Sequence, residues 1–139
     1  MARILIIDDD VTVRQAIRRI LEKVGYEVVE ASDGEEGMRL FYENPADLVI
    51  TDIFMPGKEG LETIMELQGK FPNVKIIAIS GGGKTDLSKS LKTDFLMMAE
   101  QLGARSLEKP FELEELLKMV QELLDNDVSV SSKYSNNLE

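Results

Sequence analysis

Short apolar runs alternate with segments of helical periodicity along this chain. The runs are rich in Ile, Val and Leu, and three are nearly continuous, which is typical of strands buried on both faces. They read RILII (3–7), YEVVE (26–30), DLVIT (47–51), VKIIAIS (74–80) and ARSLE (104–108). The pattern predicts five strands.

Apolar residues at three- and four-residue spacing predict a helix after each strand. Ser32 and Glu35 have the spacing of a capping box for the second helix, and Gly25 stands where a left-handed cap would end the first. The five helices are traced by Val13, Ile17, Ile20, Leu21 and Val24; Met38 and Phe41; Leu61, Ile64, Met65 and Gln68; Leu87, Leu91, Phe95, Met98 and Leu102; and Leu113, Leu116, Leu117, Val120 and Leu124. Five strand–helix repeats with right-handed crossovers predict a doubly wound α/β domain of the flavodoxin-like (βα)5 type, with helices on both faces of a five-stranded parallel sheet.

The length and the composition of the C-terminal end bound the domain organisation. A chain of 139 residues is long enough for one domain with a proper core, and too short for two. After Leu124 the sequence becomes DNDVSVSSKYSNNLE, which offers too little apolar surface to offset the entropy of ordering. We therefore expect one domain over residues 1–125 and a polar, flexible tail over residues 126–139.

Charge and residue usage exclude several classes of function. The net charge of -10 disfavours direct contact with nucleic acid or with anionic membranes. The absence of cysteine and histidine excludes disulfides, thiolate metal sites and imidazole chemistry on this chain. No apolar run approaches the roughly 20 residues that cross a bilayer, and no signal peptide is visible, so we expect a soluble cytoplasmic protein.

Three carboxylates and one amine follow predicted strands: Asp8, Asp9, Asp52 and Lys109. Because the carboxyl ends of parallel strands meet at one edge of the sheet, we expect these side chains to converge there. Two like charges about 4 Å apart repel by roughly 4 kcal/mol at an effective dielectric of about 20, which favours a divalent cation between the carboxylates. Ligands that are all oxygen point to Mg²⁺, for which Mn²⁺ could substitute. Taken alone, the triplet of residues 8–10 would also fit a polar loop with a helix cap.

Four motifs together resemble the receiver domain of two-component response regulators: IIDDD, DLVITDIFMPGKEGLE, IIAIS and EKPF. The resemblance covers residues 2–125 and is most specific around Asp52. It implies that Asp52 accepts a phosphoryl group. It also implies that Asp9 and Asp52 bind Mg²⁺ through their side chains, that Phe54 binds it through the backbone carbonyl, and that Asp8 acts through a metal-bound water.

The same resemblance gives roles to residues near the ends of the last two strands. Lys109 would bind a phosphoryl oxygen, the Lys109–Pro110 bond would be cis, and the Ser80 hydroxyl would bond to the new phosphoryl group. Ser106 replaces the aromatic residue that many receivers use as a rotating switch, so the switching mechanism stays open. Phe54, a bulky apolar residue two positions after Asp52, suggests a slowly hydrolysed phosphoaspartate.

The resemblance also implies a signalling role with defined partners. The chain would be a stand-alone receiver of the chemotaxis or phosphorelay type. Because it has no histidine, its phosphoryl group would come from a sensor histidine kinase or a histidine phosphotransfer protein. It would promote its own phosphorylation and dephosphorylation without being a turnover enzyme, and an unidentified downstream protein would read the change.

Three other readings of the motifs are weaker. Residues 8–12 fit the D-x-D-x-T opening of haloacid-dehalogenase-type phosphatases, with Asp8 as the nucleophile, but this leaves the motif around Asp52 unexplained. Residues 78–85 read A-x-x-x-x-G-K-T, close to a P-loop, yet the acidic partner Asp52 precedes the loop where it normally follows. A degenerate receiver that only docks partners is disfavoured because the usual site positions are all chemically competent.

Overall fold

A computed structural model describes residues 2–53, 60–80 and 97–137, and the side chains through residue 125. Its strands are β1 (Arg3–Ile7), β2 (Glu27–Ala31), β3 (Leu48–Asp52), β4 (Lys75–Ser80) and β5 (Arg105–Glu108). They form one parallel sheet in the order β2-β1-β3-β4-β5. The predicted fold class is therefore confirmed, and each strand lies within one residue of its predicted position.

The helices follow the predicted order. They are α1 (Val11–Val24), α2 (Gly34–Glu43), α3 (Gly60–Lys70), α4 (residues 97–101) and α5 (Leu113–Asn137). The earlier part of the predicted fourth helix lies outside the described residues. Gly25 ends α1 with a φ of 107°, in the left-handed region that favours glycine, so the predicted cap is confirmed.

The predicted capping box of α2 is wrong by one residue. Asp33, and not Ser32, is the N-cap, and its carboxylate accepts a hydrogen bond from the backbone N–H of Glu36 at 2.8 Å. The Glu36 carboxylate in turn accepts from the N–H of Ser32 at 2.7 Å. The sequence contains two overlapping pairs with the capping spacing, and the structure uses the one that begins at the aspartate.

Helix α5 is longer than its apolar pattern predicts. The pattern ends at Leu124, whereas the helix continues to Asn137. Residues 126–137 contain neither proline nor glycine, so no residue in the segment stops a helix. The domain limit at residue 125 and the flexibility of residues 126–139 stay predictions.

Two hydrophobic clusters cover the two faces of the sheet. Alternate residues of β1 divide between them, with Leu5 and Ile7 on one face and Ile4 and Ile6 on the other. The first cluster includes residues of α2 and α3, and the second includes residues of α1 and α5. Because hydrophobic residues cover both faces of the sheet, polar side chains can gather where the strands end.

Within the described part of the chain, no helix combines the length and the apolar character needed to cross a membrane.

Candidate functional site

The carboxyl edge of the sheet collects the polar residues that follow the strands. Asp8 comes directly after β1, Asp52 ends β3 and Ser80 ends β4. The backbone N–H of Lys109, directly after β5, donates to the carbonyl of Ser80 at 2.8 Å. The parallel register of the strands, in which Asp52 pairs with Ile79, therefore sets these residues side by side.

The ammonium of Lys109 lies between two carboxylates. Its Nζ is 3.2 Å from Oδ2 of Asp52 and 3.4 Å from Oδ2 of Asp8. The side chains of Asp8 and Asp52 are only 2% and 7% exposed, and that of Lys109 is 23% exposed. Such burial leaves little water to screen the charges, so the three groups interact strongly. The predicted convergence of these residues is present in the structure.

The acidic cluster consists of Asp8, Asp9 and Asp52. One carboxylate oxygen from each lies within 4.8 Å of the other two. Asp8 and Asp52 are buried, whereas Asp9 is exposed. Oxygen ligands in this number and spacing suit a hard divalent cation, which typically keeps part of its water shell. The residues therefore fit the kind of metal that the sequence predicts.

Burial and neighbouring charges shift the pKa values of Asp8 and Lys109. Burial, reinforced by the negative charge of Asp52, raises the pKa of Asp8, although the N–H of Asp10 and the ammonium of Lys109 act in the opposite direction. Burial alone would lower the pKa of Lys109, but the carboxylates of Asp52 and Asp8 together outweigh it and raise that pKa. Lys109 therefore stays protonated at neutral pH.

The backbone of Asp52 is held by close packing. The Thr51 hydroxyl donates to the Asp52 carbonyl at 3.0 Å, and the N–H of Gly60 donates to the Ile53 carbonyl at 3.0 Å. A Cβ on Gly60 would collide with the carbonyl oxygen of Asp52 and would lie 2.7 Å from the Cα of Ile53. Only glycine permits this approach of α3 to the end of β3.

The remaining predicted residues are placed as follows. Ser80 is buried at the end of β4, with 2% exposure. The Lys109–Pro110 peptide bond is cis, as predicted. Ser106 is half-buried in β5, where it pairs with Ala78 of β4. Phe54, and with it the predicted carbonyl ligand, lies outside the described residues.

One contact of the site was not predicted. Nη1 of Arg14, in the first turn of α1, donates to the backbone carbonyl of Asp8 at 2.6 Å. The only signal in the sequence is that Arg14 stands one helical turn after the cap residue Asp10, and so on the side of the helix near the loop. That signal places Arg14 near the loop but does not specify its hydrogen-bond partner.

This fold and site define a signalling receiver. Residues 4–121 match the response regulator receiver domain family, to which the chain therefore belongs. Receiver domains of this family are phosphorylation-switched modules of two-component systems, and they interact with histidine kinases.

Individual relatives agree with this assignment. Response regulator MprA of Mycobacterium sp. (strain KMS) is 36% identical over 123 residues, covering 88% of this chain and 50% of the relative. Sensor kinase CckA of Brucella abortus (strain 2308) is 32% identical over 126 residues, covering 89% of this chain and 13% of the relative. The chain thus spans half or less of these curated relatives.

Among solved structures, a receiver domain protein from Clostridium thermocellum superposes with a TM-score of 0.80 at 32% identity. The match covers 94% of this chain and 99% of that structure. Similarity over nearly the whole of both chains supports the receiver fold independently of the motifs.

Proposed function

We propose that Asp52 is the phosphoacceptor of this receiver. The observation that carries the proposal is the contact of the Asp52 carboxylate with Lys109 inside a cluster of three carboxylates. A carboxylate is a competent nucleophile toward a phosphoryl group when nearby positive charge offsets the repulsion between the two anions. In the transfer, the P–N bond of a donor phosphohistidine breaks while a P–O bond to Asp52 forms.

Mg²⁺ is the proposed cofactor, and Mn²⁺ would substitute. Asp9 and Asp52 would hold it through their carboxylates, Phe54 through its backbone carbonyl, and Asp8 through a bound water. When bound, the cation supplies positive charge against the oxygens of the phosphoryl group. The three carboxylates, with oxygens within 4.8 Å of one another, support this assignment.

Lys109 and Ser80 complete the proposed site. The Lys109 ammonium, already 3.2 Å from Oδ2 of Asp52, would donate to an oxygen of the arriving phosphoryl group. The Ser80 hydroxyl lies at the end of β4, next to β3, and would donate to another oxygen of the phosphoryl group. Both residues stabilise the product, phosphoaspartate, and Lys109 also reduces the negative charge that the donor approaches.

The partners follow from the chemistry of the transfer. Because these 139 residues contain no histidine, the phosphohistidine belongs outside them, on a sensor histidine kinase or a histidine phosphotransfer protein. We propose a cytoplasmic protein that promotes its own phosphorylation and dephosphorylation without turnover, and that signals to a downstream protein. A net charge of -10 argues against direct binding to nucleic acid or to a membrane.

The test is to incubate the protein with Mg²⁺ and phosphoramidate, and then to measure the intact mass and map the labelled peptide. The wild type should gain the mass of one phosphoryl group on Asp52, and Asp52→Asn or added EDTA should abolish the gain. Asp10→Asn is the matched control. It also removes one carboxylate charge, next to the acidic cluster in the sequence, and asparagine still caps α1. It should be labelled like the wild type.

Other outcomes of this experiment identify the competing functions. A label on Asp8 would support the phosphatase reading of residues 8–12. The complete lack of a label, also with a histidine kinase as donor, would support a receiver that only docks partners.

A further inference from the structure

The polar atoms of Asp8 are all held by hydrogen bonds. Its backbone N–H donates to the carbonyl of Ala31 at 3.1 Å, and its Oδ1 accepts from the N–H of Asp10 at 2.8 Å. Its Oδ2 contacts Lys109, and its carbonyl accepts from Arg14 at 2.6 Å. Lys109 and Arg14 contact Asp8 through their side chains, whereas Ala31 and Asp10 use backbone atoms. The contact of Arg14 can therefore be removed by substitution.

Arg14 is itself anchored to the neighbouring strand. Its Nε donates to Oε1 of Glu30 at 3.1 Å, and Glu30 lies on β2 opposite Ile6 of β1. The side chains of Arg14 and Glu30 are 14% and 20% exposed, so the ion pair is partly shielded from water. One guanidinium thus joins β2 to the loop that leads from β1 into α1.

That loop is short and carries two members of the acidic cluster. It runs from Asp8 to Asp10, and Arg14 spans it from the first turn of α1. Because the carbonyl of Asp8 and the N–H of Asp9 belong to one planar peptide unit, the bond from Arg14 also restrains the position of the Asp9 Cα. The bond therefore influences where both carboxylates stand relative to Asp52.

We propose that Arg14, held by Glu30, is a positioning residue that sets the geometry of the carboxylates of Asp8 and Asp9 for cation binding. The inference rests on the proposed function of the acidic cluster. Residues that orient metal ligands from behind typically contribute about 10- to 100-fold to metal affinity or activity. Arg14 would act through the backbone of Asp8 and touch neither the cation nor the phosphoryl group.

A positioning role and a simple charge effect predict opposite results. Arg14 carries a positive charge close to a site for a cation, so removing that charge should by electrostatics alone tighten cation binding. Loss of a positioning contact should weaken it, because the carboxylates would spend less time in the binding arrangement. The sign of the change in affinity therefore distinguishes the two explanations.

Arg18 offers a matched control on the same helix. Its Nη1 donates to the other oxygen of Glu30 at 2.6 Å, so it shares the charge and the partner of Arg14. Its other described contact is with Glu22 on α1. No contact with Asp8 is described for Arg18.

The experiment measures Mn²⁺ binding to the unphosphorylated protein through the electron paramagnetic resonance signal of the free ion. Arg14→Met should weaken the affinity about tenfold. Arg18→Met should leave it unchanged or slightly tighter. Affinity in Arg14→Met that equals or exceeds that of the wild type would overturn the proposal.

Two further measurements keep the test decisive. Urea unfolding in EDTA checks that each variant is folded, and if Arg14→Met is not, Arg14→Lys decides, because lysine keeps the charge but lacks the planar fork. Weaker binding in Arg14→Lys supports positioning, and unchanged binding refutes it. Asp52→Asn tests the proposed metal site separately from the role of Arg14. Wild-type affinity for Mn²⁺ in Asp52→Asn would refute the site itself, whereas weaker binding in Asp52→Asn together with wild-type affinity in Arg14→Met would refute the role of Arg14 alone.

Discussion

Nζ of Lys109 lies 3.2 Å from Oδ2 of Asp52, so the proposed phosphoacceptor already has a cationic partner before any phosphoryl group arrives. The lysine is shared with Asp8, at 3.4 Å. Its positive charge thus already offsets part of the repulsion between these carboxylates, which a divalent cation in the same cluster would also offset.

Replacing Lys109 should therefore have two effects of opposite sign. Lys109→Met should bind Mg²⁺ several-fold more tightly than the wild type, because a competing positive charge is removed from between two buried carboxylates. The same variant should be labelled by phosphoramidate at least tenfold more slowly, because a donor to the phosphoryl group is lost. Titration calorimetry and the rate of mass gain measure the two effects. Lys118→Met, an exposed lysine on α5, should change neither; parallel loss of affinity and rate in Lys109→Met would contradict this account.

Two glycines of α3 should respond oppositely to alanine. Gly60→Ala should destabilise the protein by about 1–3 kcal/mol and slow phosphorylation, because the new Cβ meets the backbone of Asp52 and Ile53. Gly69→Ala should stabilise by up to about 1 kcal/mol, because its Cβ has nothing within 4 Å and alanine favours a helix. Urea unfolding of the pair measures the contrast. Equal stabilities of the two variants would show that the close approach at Gly60 is not restrictive.

The ion pairs of Glu30 should contribute to stability in a pH-dependent way. Hydrogen bonding to Arg18 and Arg14 lowers the pKa of Glu30 below its usual 4.5, although burial opposes the shift. A carboxylate with a lowered pKa in the folded state stabilises it above the unfolded pKa, and this contribution is lost as the pH falls through the folded pKa.

Glu30→Gln should accordingly cost about 1 kcal/mol at pH 7, a value between those of exposed and buried charged hydrogen bonds. The difference from the wild type should shrink as the pH falls below 4.5. Urea unfolding across this pH range gives the profile. Glu43→Gln, which loses an exposed pair with Arg39, is the control and should differ little from the wild type at any pH. A constant difference for Glu30→Gln down to low pH would argue against the linkage.

The lifetime of the phosphorylated form is predicted from the sequence alone, since Phe54 lies outside the described residues. An apolar side chain two positions after Asp52 should hinder the water that hydrolyses the phosphoaspartate. Phe54→Asn should therefore shorten the lifetime relative to Phe54→Leu, as measured by loss of the phosphoryl mass after removal of the donor. Equal lifetimes in the two variants would remove the basis for this prediction.

The sequence predicts the sheet and the convergence of Asp8, Asp52 and Lys109 because these depend on simple periodicity. Continuous apolar runs mark buried parallel strands, and residues that follow such strands must meet at one edge. The motif around Asp52 also identifies the family, since its aspartate and glycines stand at the offsets that the family uses.

Other features depend on geometry that no local pattern encodes. Ser32 and Asp33 are both good caps with a glutamate three residues later, so local preference could not choose between them. Likewise, Arg14 and Arg18 both look like exposed helix residues in the sequence. Only the packed arrangement of α1 against β2 shows that Arg14 contacts Asp8.

The order of the strands gives the pair of Lys109 and Asp52 a further consequence. Asp52 ends β3 at the centre of the sheet, whereas Lys109 follows β5, the outermost strand, with β4 between them. Adjacent strands lie about 4.8 Å apart, so this contact reaches across roughly 10 Å of sheet. The contact therefore couples the outermost strand to the central strand through two side chains. A change in the charge of Asp52 would change the attraction that draws Lys109 toward the centre of the sheet.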